Sequence, residues 1–131
     1  MLNGIEAIIW DFDGVFNTLP QPIGWTAGLK EHWDIDPATF ISAVLTRDFL
    51  AHVVTGKRDL YEHLRTTNDG FYPDDKVEAF GAWWFETSVK MDPELLGFCA
   101  CLAEEGYAPH LGTNNEPHRA KHIWDVIGMK E

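Results

Sequence analysis

The sequence predicts an α/β fold with a helical insertion, and three observations lead to it. Ala7-Ile8-Ile9-Trp10 is an unbroken apolar run that ends in Asp11-Phe12-Asp13-Gly14. Tyr107 to Gly112 is a second short strand-like stretch, followed by Thr113-Asn114-Asn115. Between the two, Pro37 to Val89 carries helical periodicity and no strand pattern. Strand, helical block, helix, strand, helix is the order of a βαβ frame with an inserted helical segment.

Each element has its own local signal. A run without polar alternation suits a parallel strand covered on both faces, and Ala7–Trp10 is such a run. Pro20, Pro22, Gly24 and Gly28 mark the stretch from Leu19 to Gly28 as a loop or crossing segment. Asp36-Pro37 opens a helix, with the aspartate as N-cap and the proline in the first turn. Phe40, Ile41, Val44, Leu45 and Phe49 form its apolar face, and Gly56 breaks it. Leu60, Tyr61 and Leu64 suggest a short second helix, and Asn68-Asp69-Gly70 a turn. Asp74 to Val89 reads as a third helix with Val77, Phe80 and Trp84 inward and Trp83 beside them. Asp92-Pro93 opens another capped helix, closed by Gly106. Pro109 and Gly112 weaken the second strand without removing it. A last helix runs from about Glu116 to Ile127, with Gly128 as its stop. The expected division is an α/β part from residues 1–19 and 90–131, and a helical insertion over residues 20–89.

Composition narrows the function classes. With 45% hydrophobic residues, 13% aromatic residues and six tryptophans, the 131-residue chain can bury a real core. Its formal charge of −11 repels phosphate backbones, so nucleic acid is not the expected partner. Small phosphorylated molecules remain open to an acidic protein when a metal ion and backbone amides supply local positive potential. The apolar run behind Met1 is short and contains Glu6, which suits neither a signal peptide nor a membrane span. Cys99 and Cys101 point to different sides of one helix, so they read as two reduced thiols of a cytoplasmic protein.

The chemistry sits at the ends of the two strands. Asp11 and Asp13, two residues apart where a strand stops, lean into one crevice once Gly14 lets the backbone turn. Clustered carboxylates repel, so such a pair calls for a cation or a shifted pKa. Thr113 falls at the corresponding end of the second strand, and ligands in parallel sheets bind at carboxyl ends.

Asp11-Phe12-Asp13-Gly14-Val15 resembles the first motif of the haloacid dehalogenase superfamily, and Leu111-Gly112-Thr113-Asn114-Asn115 resembles its second. Glu116 to Ala120 is similar to members with a T-N-x-E…R-A pattern, and the gap from Asp11 to Thr113 leaves room for a helical cap. The resemblance implies a Rossmann-like core, here partial, with an inserted α-helical cap. It implies that Asp11 attacks phosphorus and forms an aspartyl-phosphate, and that Asp13 protonates the leaving oxygen and then activates water. Mg²⁺ would be held by the Asp11 carboxylate and the Asp13 backbone carbonyl. Thr113 would bond a phosphoryl oxygen, with backbone N–H groups near Phe12, Asp13 and Asn114. The second acid, Asp13, favours phosphoryl transfer over dehalogenation.

The pattern then stops. Members of that superfamily use a lysine or arginine and an acidic pair beyond the third and fourth core strands, and eighteen residues follow Thr113. Arg119, Lys121 and Lys130 read as exposed helix positions, and Asp74-Asp75 as a helix N-terminus. The expectation is therefore a Mg²⁺-dependent phosphohydrolase of a small phosphorylated metabolite, truncated before its third and fourth motifs and part of a longer enzyme. Its alternatives are a non-catalytic module that binds metal or a protein partner, and a phosphoglycomutase-like phosphotransferase. An open sheet edge would invite self-association. Arg47, Lys57 and Arg58 in the insertion, and the i,i+4 pair His118 and His122, are the remaining candidates for ligand contact.

Overall fold

A computed structural model of the chain describes residues 4–130; Met1, at the head of the apolar run, lies outside them. The fold is α/β, with a two-stranded parallel sheet and a larger helical part. The elements are β1 (Ala7–Trp10), α1 (Ile23–Thr26), α2 (Leu29–Trp33), α3 (Pro37–Val44), α4 (Leu60–Thr66), α5 (Val77–Thr87), α6 (Pro93–Glu104), β2 (Ala108–Leu111) and α7 (Pro117–Lys121). Single π-helical turns cover Phe49–Val53 and His122–Val126, and a 3₁₀ turn, Asp74–Lys76, leads into α5. No helix of the described residues is long and apolar enough to cross a membrane.

The chain divides into two compact units, residues 1–24 with 88–113 and residues 25–87 with 114–131. The first holds the sheet. Ala7 pairs with Ala108 and Trp10 with Leu111, so the strands run in step and finish together. Ala108 N–H donates to the Glu6 carbonyl and Gly112 N–H to the Trp10 carbonyl. Phe12 and Phe16 are buried, and Trp10 packs on Phe16 and, edge-on, on Phe98 of α6. The expectation that β1 is covered on both faces does not hold. Ile8 and Trp10 are half-buried, whereas Ala7 is exposed and Ile9 is 76% exposed. An apolar run records that a strand can be buried twice; the layer that would bury the Ile9 face is a separate matter.

The second unit is helical. Asp36 caps α3, accepting from Thr39 N–H at 2.9 Å, and Asp59 caps α4, accepting from Tyr61 and Glu62 N–H. Trp25 stacks on Trp84 and Tyr72 on Phe80, each at 4.6 Å between ring centroids. His63 is buried and shares a 2.9 Å hydrogen bond between Nε2 and the Val44 carbonyl. α3 stops at Val44, short of the expected Phe49. Leu45 leaves helical geometry with ψ near 54°, and Thr46 Oγ1 accepts from Phe49 N–H to start the π-turn. α1 and α2 lie in or just after the stretch expected to be a loop; at four and five residues they are too short to show periodicity. The segment after Thr113, grouped with the strands on sequence, makes its contacts inside the helical unit. Pro117 faces Gly56, and His118 bonds Asp59 and packs on Tyr61.

Candidate active site

β1 delivers Asp11 to the carboxyl end of the sheet, and the turn that follows is built by the backbone. Val15 and Asn17 N–H groups both donate to the Phe12 carbonyl, at 3.1 and 3.0 Å, while Gly14 N–H donates to the Asn17 carbonyl at 2.8 Å. Gly14 has φ +82°, a conformation that L side chains rarely adopt, so a residue with a Cβ would strain this turn. The buried Phe12 side chain anchors the loop between the two acids.

The acids differ in setting. Asp11 is exposed, and its Oδ1 accepts from Phe12 N–H at 2.7 Å. Phe12 N–H, expected to serve phosphate, thus serves the Asp11 carboxylate. Asp13 is half-buried, and its Oδ1 accepts from Asn17 Nδ2 at 2.9 Å. Asn17 is fully buried and uses its whole amide. Nδ2 also donates to the Ser88 carbonyl at 2.7 Å, and Oδ1 accepts from Lys90 N–H at 2.8 Å and Leu19 N–H at 3.1 Å. The Lys90 carbonyl in turn accepts from Thr18 N–H and Thr18 Oγ1, at 2.8 and 3.0 Å.

Because β1 and β2 are parallel and in step, Thr113 stands two residues past Leu111 at the same end of the sheet as Asp11 and Asp13. Asn114, expected beside Thr113, begins the helical unit. Asn17 and Lys90 are the residues that sequence reasoning passed over. Nothing local marks Asn17 as buried, since its partners at 88 and 90 lie more than seventy residues away.

Several of the other candidates are otherwise engaged. Arg58 Nη1 pairs with Asp48 at 2.5 Å. His118 Nε2 lies 2.5 Å from Asp59 Oδ2, while the His122 ring packs on Phe85, so the two histidines do not act as one metal pair. Burial holds the His122 pKa below its usual value. Arg119, expected to be exposed, is buried and its Nη1 donates to Asn115 Oδ1. Glu116 is buried as well and caps α7, so that burial lifts its carboxyl above the usual range despite the N–H groups of His118 and Arg119. Asp74-Asp75 opens the turn before α5, as a helix N-terminus would. Cys99 and Cys101 are free thiols, the first half-buried and the second exposed.

Among the described residues, no three His, Cys, Asp or Glu side chains gather closely enough to hold a metal ion together. Asp11 and Asp13 still offer an all-oxygen donor set at one turn. Mg²⁺ is commonly held by one or two carboxylates plus water and substrate phosphate, so these residues fit it. No family model, curated protein or solved structure matches this chain.

Proposed function

We propose that this chain is a Mg²⁺-dependent phosphohydrolase of the haloacid dehalogenase type, with a partial Rossmann-like core, a helical cap and a small phosphorylated metabolite as substrate. The observation that carries the reading is the in-step parallel pairing. It sets the Asp11-Phe12-Asp13-Gly14 turn and Thr113 at one carboxyl end, with Asp13 fixed by a buried asparagine.

Asp11 is the nucleophile. One of its oxygens is oriented by Phe12 N–H, and the other attacks phosphorus. As the new P–O bond forms, the bond to the leaving alcohol breaks, and Asp13 gives that oxygen its proton. Water then attacks the aspartyl-phosphate, Asp13 takes the water's proton, and phosphate leaves with Asp11 restored. Asn17 keeps Asp13 within reach of both oxygens by holding Oδ1. Thr113 donates to a phosphoryl oxygen. Mg²⁺ would be held by the Asp11 carboxylate and the Asp13 backbone carbonyl, and it would supply the charge that lets a carboxylate approach an anionic phosphoryl group.

A second reading, a non-catalytic module that takes a protein partner on its sheet, draws on the open face around Ile9. Release of inorganic phosphate from an aryl phosphate, with and without Mg²⁺, separates the readings. The wild-type chain should turn over and Asp11→Asn should lose at least about 1,000-fold, as removal of a nucleophile does elsewhere. Equal silence of both proteins would overturn the hydrolase reading for this chain. Transfer of phosphate to a second substrate without its release would favour a phosphotransferase.

A further inference from the structure

We infer that Lys90 supplies the cationic contact to the phosphoryl group at this site, a role that the resemblance to the haloacid dehalogenase superfamily implies for a lysine or arginine beyond Thr113. The inference rests on the hydrolase reading above and deepens it.

Three observations carry it. First, Lys90 is the sole lysine or arginine in the unit that holds Asp11, Asp13 and Thr113. That unit has seven acidic residues, three in residues 1–24 and four in 88–113. A phosphoryl dianion approaching two aspartates needs positive charge beyond one bound cation, and within this unit a single side chain can offer it permanently.

Second, the Lys90 backbone is fixed to the catalytic turn from both sides. Its N–H donates to Asn17 Oδ1 at 2.8 Å, and the same Asn17 amide donates to Asp13 Oδ1 at 2.9 Å. Its carbonyl accepts from both Thr18 donors. On the next residues, Asp92 N–H donates to the Phe16 carbonyl at 2.8 Å. One buried amide thus separates the Lys90 main chain from the Asp13 carboxylate. A flexible four-carbon stem brings an ammonium group to a ligand at such a turn.

Third, the side chain is uncommitted. Lys90 is exposed, and among the described residues it forms no ion pair, whereas Lys30, Lys121 and Lys130 each pair with an aspartate. A rigid backbone under an unpaired ammonium, in an acidic unit, suits capture of an anion.

The test measures binding as well as turnover, on the full chain with Mg²⁺ and orthovanadate as the phosphate mimic, by titration calorimetry. Lys90→Gln keeps the backbone bonds and should weaken vanadate binding about 10- to 100-fold, the range for a hydrogen bond to a charged group. Lys90→Arg, which keeps the charge, should restore most of the affinity. Lys76→Gln, an equal loss of charge in the helical unit, should bind as wild type does. Wild-type affinity in Lys90→Gln would overturn the inference and leave the hydrolase reading standing. An equal loss in Lys76→Gln would overturn it too, by assigning the effect to net charge. Failure of the wild-type chain to bind vanadate or to hydrolyse an aryl phosphate would overturn both.

Discussion

Asn17 is the side chain on which the candidate site turns. Its amide satisfies two acceptors and two donors, and it is fully buried. Removing it takes their acceptor from the Lys90 and Leu19 N–H groups, while the Ser88 carbonyl keeps Gln21 Nε2 at 2.8 Å. Each orphaned group costs on the order of 1–3 kcal/mol, so Asn17→Ala should lose at least about 2 kcal/mol in urea denaturation followed at the sheet unit. Asp13 would lose its restraint at the same time, and on the proposed hydrolase reading turnover should fall in whatever fraction remains folded. Asn17→Asp is nearly isosteric and should be no better tolerated. It sets a carboxylate oxygen against Asp13 Oδ1 and the Ser88 carbonyl, where the native amide donates. A stable Asn17→Ala protein with unchanged turnover would remove Asn17 from the site. Asp11, Asp13 and Thr113 were visible in the sequence because strand ends and short motifs are local. Asn17 was not, because its meaning lies in what the chain brings back to it from residues 88 and 90.

Helix starts were legible for the same reason of locality. Asp36-Pro37 and Asp92-Pro93 begin α3 and α6, because a carboxylate that accepts N–H groups one turn ahead acts over three residues. The start of α7 is different in kind. Glu116 caps it from a buried position, and burial raises its carboxyl pKa. The native state therefore binds that proton more tightly than the unfolded chain. Its contribution to stability is full below the unfolded value and is lost as pH rises through the folded one. Glu116→Gln keeps an oxygen for the cap and removes the charge, so the variant should gain on wild type as pH rises above the ordinary glutamate value of about 4.3. Asp59 runs the other way. Burial pushes its carboxyl up, but the His118 contact and the α4 N–H groups outweigh that and hold it low. Its share of stability is lost on acidification, which is why the comparison belongs above pH 4. A constant difference between the two proteins across that window would rule out the buried charge as its source. At the α4–α5 contact, Gly81 illustrates a helix position that propensity misreads. A Cβ there would lie 2.6 Å from Tyr61 Cε1, and the Tyr61 ring also packs on His118. Gly81→Ala should gain up to about 1 kcal/mol of helix propensity and lose about 1–3 kcal/mol to overpacking, for a net lower melting temperature.

For the molecule as a whole, two tendencies oppose one another. A formal charge of −11 keeps copies apart, while the sheet leaves Ile9 76% exposed on an uncovered face. The pairing also decides which sheet edge is open. Ala108 and Gly112 donate to Glu6 and Trp10, so alternate residues Ala7 and Ile9 turn their backbone groups away from β2. On β2 the outward-facing residue between Ala108 and His110 is Pro109, which has no N–H to offer, and this blunts that edge. The β1 edge keeps its donors, beside the exposed Ile9 side chain. Concentration-dependent self-association should therefore occur through β1 and strengthen with salt, as screening removes the repulsion between like-charged copies. Ile9→Lys tests this with an informative sign. It moves the charge from −11 toward zero, so if net repulsion alone set solubility, the variant would associate more. If the open strand governs, a lysine on it should reduce association, as charged residues do on natural sheet edges, with a stability change within about 0.5 kcal/mol. Sedimentation velocity of the two proteins at low and moderate salt reads the sign directly, and stronger association of Ile9→Lys would dismiss the β1 edge as the cause.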